Sequence, residues 1–216
     1  MQTLLEDGQP MGAMKSFLFV RHGQTEPNAL GLRCGGDLDV PLTETGKVYD
    51  ALMTAGAPHA IRPVGYRALE SLRLEKGYRA WSSDITPNDT PFEAGLGWAV
   101  KMRSNASFLG RAALEAVAGK PLTKRLAGFT IADQRAVLVG RETILRDGKP
   151  LGYLTSGGFG YTLQRSIGFG YVRNAEGVSD EFLMSGRYEL VVASETYPAE
   201  ISLAPFYDPA GEKVKA

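Results

Sequence analysis

Cysteine is almost missing from this sequence. Cys34 stands alone, which excludes an internal disulfide framework and a cysteine-cluster metal site. A lone thiol suits a reducing compartment. Histidine is nearly as scarce, with only His22 and His59, so no metal site is expected. An excess of either charge is also lacking: Lys plus Arg and Asp plus Glu number 24 each, for a formal net charge of zero. Nucleic acid is therefore not an expected partner, because its binders normally carry a basic excess. No apolar run approaches the roughly 18 residues of a bilayer-spanning helix. Phe17–Val20 is too short for the core of a secretion signal, and Glu6 and Asp7 stand where such a signal carries positive charge. The expectation is a soluble, cytoplasmic protein with no membrane partner.

What is present is ordinary globular material. The 216 residues are 44% hydrophobic and 22% charged, enough for one or two domains. A chain of this length buries roughly 70% of the surface that it exposes when unfolded. The 26 glycines concentrate in 31–46, 95–97 and 148–170. Residues 45–56 read as a helix capped by Thr45, with Val48, Leu52 and Met53 on one side. A second helix is predicted from Pro63 to residue 76, with Val64, Ala68, Leu69, Leu72 and Leu74 as its apolar face and Gly77 as its stop. Asp84–Pro91 reads as loop. From Leu126 the texture changes to short strands at 126–131, 136–139, 142–146, 151–155, 166–171, 188–193 and 195–203. Turn residues at Asp147-Gly148, Gly157-Gly158, Asn174–Gly177 and Gly186 separate them. Short strands at this spacing predict an antiparallel barrel or sandwich.

The segment Phe17–Asn28, with its Arg21-His22-Gly23 core, continues through Arg33, Gly35, Asp39 and Pro41–Gly46. It resembles the phosphate loop of the histidine phosphatase (phosphoglycerate mutase-like) superfamily over residues 15–47. The resemblance implies His22 as a phosphoryl-accepting nucleophile, with Arg21, Asn28 and Arg33 holding phosphate oxygens, since guanidinium forks offset the charge of the equatorial oxygens. The family's second catalytic histidine has no counterpart: His59 lies in Pro58-His59-Ala60, too near in sequence and in another context.

A longer resemblance begins near Val48. Gly65–Arg79 contains Arg73-Leu74-Glu75-Lys76-Gly77. It is followed by Asp84–Pro91, Glu93–Trp98, Phe108–Arg111, Gly152–Gly158 and Ser166–Val172, in that order. These motifs resemble the C-terminal part of the glycine cleavage T-protein (aminomethyltransferase) family, in particular the folate-binding regions of dimethylglycine and sarcosine dehydrogenases. The resemblance implies folate-linked one-carbon transfer with tetrahydrofolate as cofactor. It also implies that Glu75 of the Arg-Leu-Glu-x-Gly motif hydrogen-bonds the pterin, a role suited to a carboxylate facing adjacent N–H donors. Trp98 as a pocket wall, Arg103 on the folate tail and Tyr207 at the C-terminal approach follow from the same resemblance. The bland alternatives are a helix-terminal surface carboxylate for Glu75 and a core role for Trp98. Asp84 and Asp89 read as loop and cap residues, and Thr155–Gly158 as barrel closure.

The expected fold is α+β: a leader plus phosphatase-like fragment at 1–47, the remnant of a mixed subdomain at 48–105, and a C-terminal antiparallel β-barrel at 106–216. The resembled family builds three subdomains around a folate channel and keeps its catalytic aspartate in the first, which has no counterpart here. The chain is accordingly expected to be a truncated aminomethyltransferase-like protein that binds a folate-type small molecule, inactive alone and completed by a partner chain or a second copy. No Gly-x-Gly-x-x-Gly loop is present, so no flavin site is expected. Two alternatives stand beside this reading: phosphoryl transfer through His22, and a non-catalytic interaction module.

Overall fold

The computed structural model describes residues 44–215. The phosphate-loop candidates Arg21, His22, Asn28 and Arg33 lie outside the described residues. The described residues divide into two compact units, 44–64 and 65–215. In the first, helix α1 (Glu44–Gly56) runs into a 3-10 turn at Ala57–His59. Leu52 and Met53 are half-buried and Val48 is exposed. No helix among the described residues is long and apolar enough to cross a membrane.

The second unit opens with α2 (Tyr66–Lys76), which ends at Gly77 in the left-handed region at φ 75°. It starts three residues later than Pro63 suggests. A loop-rich stretch follows, with a 3-10 turn at Gly97–Ala99 and helix α3 (Arg111–Val117). Six strands come next: β1 (Lys124–Ile131), β2 (Thr143–Arg146), β3 (Lys149–Gly160), β4 (Arg165–Arg173), β5 (Tyr188–Val192) and β6 (Glu195–Ser202). Short helices α4 (Asp180–Ser185) and α5 (Glu212–Lys215) complete the unit. All strand pairs are antiparallel, and the order β1-β4-β3-β2-β5-β6 closes on itself through β6 and β1. The fold is thus α+β with a closed antiparallel barrel. Closure removes the free sheet edges that would otherwise invite pairing with other chains.

Alternation along the strands builds two cores. Ala127, Phe129 and Ile131 of β1 point into the barrel, where Ile144, Leu154, Val172 and Leu190 meet them. Leu126 of β1 and Ile167, Phe169 and Tyr171 of β4 face outward and pack with Leu74 of α2. The outer cluster is why α2 sits on the barrel, and so why its last turn can supply the site. The Asp147-Gly148 step makes the predicted hairpin between β2 and β3, with both residues at positive φ, 51° and 77°. That is the handedness a two-residue hairpin turn needs.

Two sequence-based expectations are corrected, and one further element is found. Residues 136–139 are not a strand, although Ala136 and Leu138 are buried; the segment reaches the core as irregular chain. Gly157-Gly158 is not a turn but the middle of β3. A Cβ at Gly157 would lie 2.8 Å from the backbone carbon of Leu138 and 2.9 Å from the nitrogen of Gly140, so the glycine marks a close backbone crossing rather than a chain reversal. Helix α4 was not anticipated; it is held by the Ser179 cap, whose hydroxyl accepts from the Phe182 N–H at 3.0 Å.

The barrel is narrow enough to need glycine inside. A Cβ on Gly170 would stand 2.5 Å from the Tyr153 carbonyl and 2.7 Å from Ile144 Cδ1. Gly170→Val should therefore lose stability by about 3 kcal/mol through overpacking, read as a lower urea midpoint. An unchanged midpoint would mean that the interior has room the packing does not show.

Candidate functional site

The site is organised by Asp84, which has no exposed surface. The turn at 80–85 presents it: the Asp84 N–H donates to the Ala80 carbonyl at 2.9 Å and the Ser82 N–H to the Ile85 carbonyl at 2.8 Å. Four donors converge on the carboxylate. Thr155 Oγ1 and Ser156 Oγ donate to Oδ1 at 2.6 and 2.7 Å. Arg73 Nη1 and the Ala80 N–H donate to Oδ2 at 2.6 and 2.9 Å. The Tyr171 hydroxyl adds a bond to the Asp84 carbonyl at 3.0 Å. Burial, and then the nearby carboxylates of Asp89, Glu93 and Asp84, raise the Tyr171 phenol above its ordinary range, which keeps it a donor. Arg73 is itself fixed by Glu70 Oε2, which accepts from Nε at 3.0 Å and Nη2 at 2.9 Å. A buried carboxylate is tolerable only when so fully paired.

Two residues further along α2, Glu75 faces the β3–β4 hairpin. Its Oε1 accepts from the backbone N–H groups of Thr162 and Leu163 at 2.6 and 3.1 Å, and the residue is only 2% exposed. Gly160 makes this approach possible, since a Cβ there would stand 2.9 Å from Oε1. Glu75 is thus not a surface carboxylate. The Tyr207 N–H donates to the Glu75 carbonyl at 3.0 Å, and Lys76 pairs with Asp208 at 2.7 Å. The structure therefore brings Glu75 and Tyr207 together, with the Tyr207 hydroxyl accepting from Lys213 Nζ at 3.0 Å. Trp98 is 84% exposed, so it is not a core residue. Arg103 is exposed as well, and no hydrogen bond among the described residues ties either to Glu75 or Tyr207.

Beside the Asp84 network opens a polar cleft of about 220 Å³, lined by residues of the 83–89 loop and by Lys124, Tyr153, Thr155, Tyr171 and Arg173 of β1, β3 and β4. Lys124 Nζ binds Asp89 Oδ1 at 2.6 Å and the Asn88 carbonyl at 3.1 Å. Burial pushes the Asp89 carboxyl up, but hydrogen bonds from Lys124 and Thr86 outweigh it and hold the group below its ordinary value of 3.8. No cluster of metal-ligating side chains exists among the described residues.

Arg73, Asp84, Thr155, Ser156, Lys124 and Arg173 were not singled out as site residues from the sequence. The signal for the first two was weak but present: Arg73 belongs to the same motif as Glu75, and Asp84 opens a loop whose two aspartates have unlike surroundings.

Asp84→Ala should cost about 3 kcal/mol, because it leaves the Ala80, Thr155 and Ser156 donors and the Nη1 side of the Arg73 guanidinium without their acceptor in a buried site. Thr155→Val should cost about 1 kcal/mol. Equal losses in chemical denaturation would contradict a carboxylate-centred network. The stability that Asp89 gains from its depressed pKa is complete above the ordinary carboxylate range and is lost as the pH falls through it. The stability gap between the native chain and Asp89→Asn should accordingly narrow on acidification below about pH 4, whereas a constant gap would rule out that coupling.

Comparison with known proteins agrees with this architecture. The GCVT N-terminal domain profile matches residues 35–104, and the glycine cleavage T-protein C-terminal barrel domain profile matches 124–208. The first match begins inside the stretch that resembles a phosphate loop. Mitochondrial sarcosine dehydrogenase of Mus musculus is 39% identical over 183 residues, which is 84% of this chain and 20% of that protein. The aminomethyltransferase of Halothermothrix orenii is 37% identical over 160 residues, 74% of this chain and 43% of that protein. Among solved structures, the glycine cleavage system aminomethyltransferase T from Bartonella henselae superposes with a TM-score of 0.64 at 26% identity, covering 78% of this chain and 46% of that one. The chain spans about a fifth of the first of these relatives and less than half of the others. With the two domain profiles in order along the chain and the closed barrel in the second, this protein belongs to the glycine cleavage T-protein family.

Proposed function

We propose that this chain is a folate-linked module of aminomethyltransferase type, binding a reduced folate for one-carbon transfer on a glycine, sarcosine or dimethylglycine skeleton. The observation that carries the reading is the run of family motifs from Arg73 to Tyr207, folded so that Glu75 and Tyr207 meet. Family membership alone does not establish a reaction; the chemistry of these residues supports it. The Glu75 carboxylate is immobilised by two backbone donors, and an oxyanion held in this way is preorganised to accept further N–H donors without an ordering cost. Tyr207, half-buried beside it, offers a ring to a flat heterocycle. Trp98 and Arg103 lie on an exposed segment, where Trp98 can wall a pocket and Arg103 can meet the carboxylate end of the ligand.

Turnover is proposed to need further subdomains, from a partner chain or a second copy. The exposed Trp98 and the fully exposed Leu109 suit such a junction and equally suit a non-catalytic interaction module, the second reading. Phosphoryl transfer through His22 is not favoured, since residues 35–47 match the GCVT N-terminal domain.

A titration with 5-formyltetrahydrofolate, read by quenching of Trp81 and Trp98, tests the proposal. Both indoles are exposed, at 67% and 84%. Saturable binding that weakens about tenfold, or roughly 1.4 kcal/mol, in Tyr207→Ala is expected. Glu75→Gln should weaken binding while its melting temperature stays close to native, because the amide oxygen still accepts both backbone bonds. Absence of saturation at millimolar ligand would leave the interaction module as the better reading.

A further inference from the structure

Lys124 and Arg173 are direct cross-strand partners in the β1–β4 register. Like charges placed opposite each other destabilise an antiparallel pair, so each cation needs an anion. Lys124 has one, Asp89 at 2.6 Å, and a second carboxylate, Glu93, at 3.9 Å. Arg173 has none among the described residues. It is exposed, and its one described interaction is with the Tyr171 ring, whose centroid lies 6.0 Å from the guanidinium carbon. Arg173 lines the polar cleft. On the same cleft Tyr153, paired across the sheet with Tyr171, keeps 45% of its surface exposed. Asn88 and Ser83 also line the cleft, and their side chains form no hydrogen bond among the described residues.

We propose that this cleft binds a small organic monocarboxylate with a flat, aromatic body, its carboxylate on the Arg173 fork and its ring against Tyr153. Geometry asks for one carboxylate: Asp89 and Glu93 both lie against Lys124, and no carboxylate among the described residues pairs with Arg173, so a single guanidinium fork is left to be met. A guanidinium takes a carboxylate in two parallel hydrogen bonds. The free Asn88 and Ser83 groups can bind a polar substituent on the ring. A cleft of about 220 Å³ accommodates a molecule of one ring. This site does not depend on the folate reading, because it shares no residue with Glu75, Trp98, Arg103 or Tyr207.

The test is an NMR titration of the whole chain with benzoate, and with acetate and inorganic phosphate as comparison anions. Saturable benzoate shifts confined to the cleft are expected, with a Kd near the millimolar range that suits so small a ligand. Arg173→Gln should weaken benzoate at least tenfold, and Arg173→Lys by less, since the charge remains while the fork is lost. Arg173 is exposed, so these variants should melt like the native chain. Tyr207→Ala should leave benzoate binding unchanged, which separates this site from the folate reading. Identical shifts in Arg173→Gln, or no saturation up to about 50 mM, a ligand free energy weaker than that of any specific site of this size, would overturn the proposal. Acetate binding as tightly as benzoate would remove the aromatic body from it, and tighter binding of phosphate would overturn the choice of a monocarboxylate.

Discussion

A single buried carboxylate holds the larger unit together. Asp84 accepts from a helix (Arg73), a turn (Ala80) and a barrel strand (Thr155 and Ser156) at once. Removing such a charge from water is costly by itself, by several kcal/mol per ion even after relaxation. It is stable only where all four donors are delivered together, so α2, the 80–85 turn and β3 must arrive in one arrangement. Apolar contacts between Leu74 and the outer face of β4 bring the helix to the barrel but do not fix how far along the barrel it sits. The bonds to Asp84 do.

Everything proposed to bind a ligand hangs from that arrangement. Arg73 and Glu75 share the last turns of α2. Once Arg73 is tied to Asp84, Glu75 falls opposite the β3–β4 hairpin and takes its two backbone bonds. The C-terminal segment then reaches the Glu75 carbonyl through Tyr207. On the other side of the same network, Thr155 and Tyr171 serve both the Asp84 cluster and the polar cleft. The cleft walls are therefore set by the ion pair too. Tyr171 contributes its hydroxyl to the cluster and its ring to Lys124 at 5.2 Å.

Much of the barrel is legible in the sequence. Six of the seven short strand segments, read from their spacing and the turn residues between them, correspond to real strands; β1 and β4 are buried along almost their whole length, because the barrel interior covers one face and the α2 cluster the other. The exceptions are instructive. Residues 136–139 alternate buried and exposed without pairing to any strand, since alternation reports which side chains are buried and not what the backbone bonds to. Gly157-Gly158 looked like a turn because local sequence cannot distinguish a glycine that bends the chain from one that lets another backbone pass. At the site, Glu75 and Tyr207 were named from motif resemblance, and the fold places them in contact. Asp84 was read as a loop residue, and it is one; its importance comes from Thr155 and Ser156, more than 70 residues away.

The sequence by itself determined the class of the fold, the hairpin at Asp147-Gly148, the end of α2 at Gly77 and the family to which the motifs belong. These depend on periodicity, on backbone freedom and on short ordered motifs, all of which are local. Tertiary structure alone decided that Asp84 is the buried hub, that Glu75 is capped by backbone rather than open to water, and that Lys124 and Arg173 stand side by side. Each of those facts joins residues from different elements. Whether a charge is paired depends on what the fold brings within about 3 Å of it, and that distance is not written in any stretch of the chain.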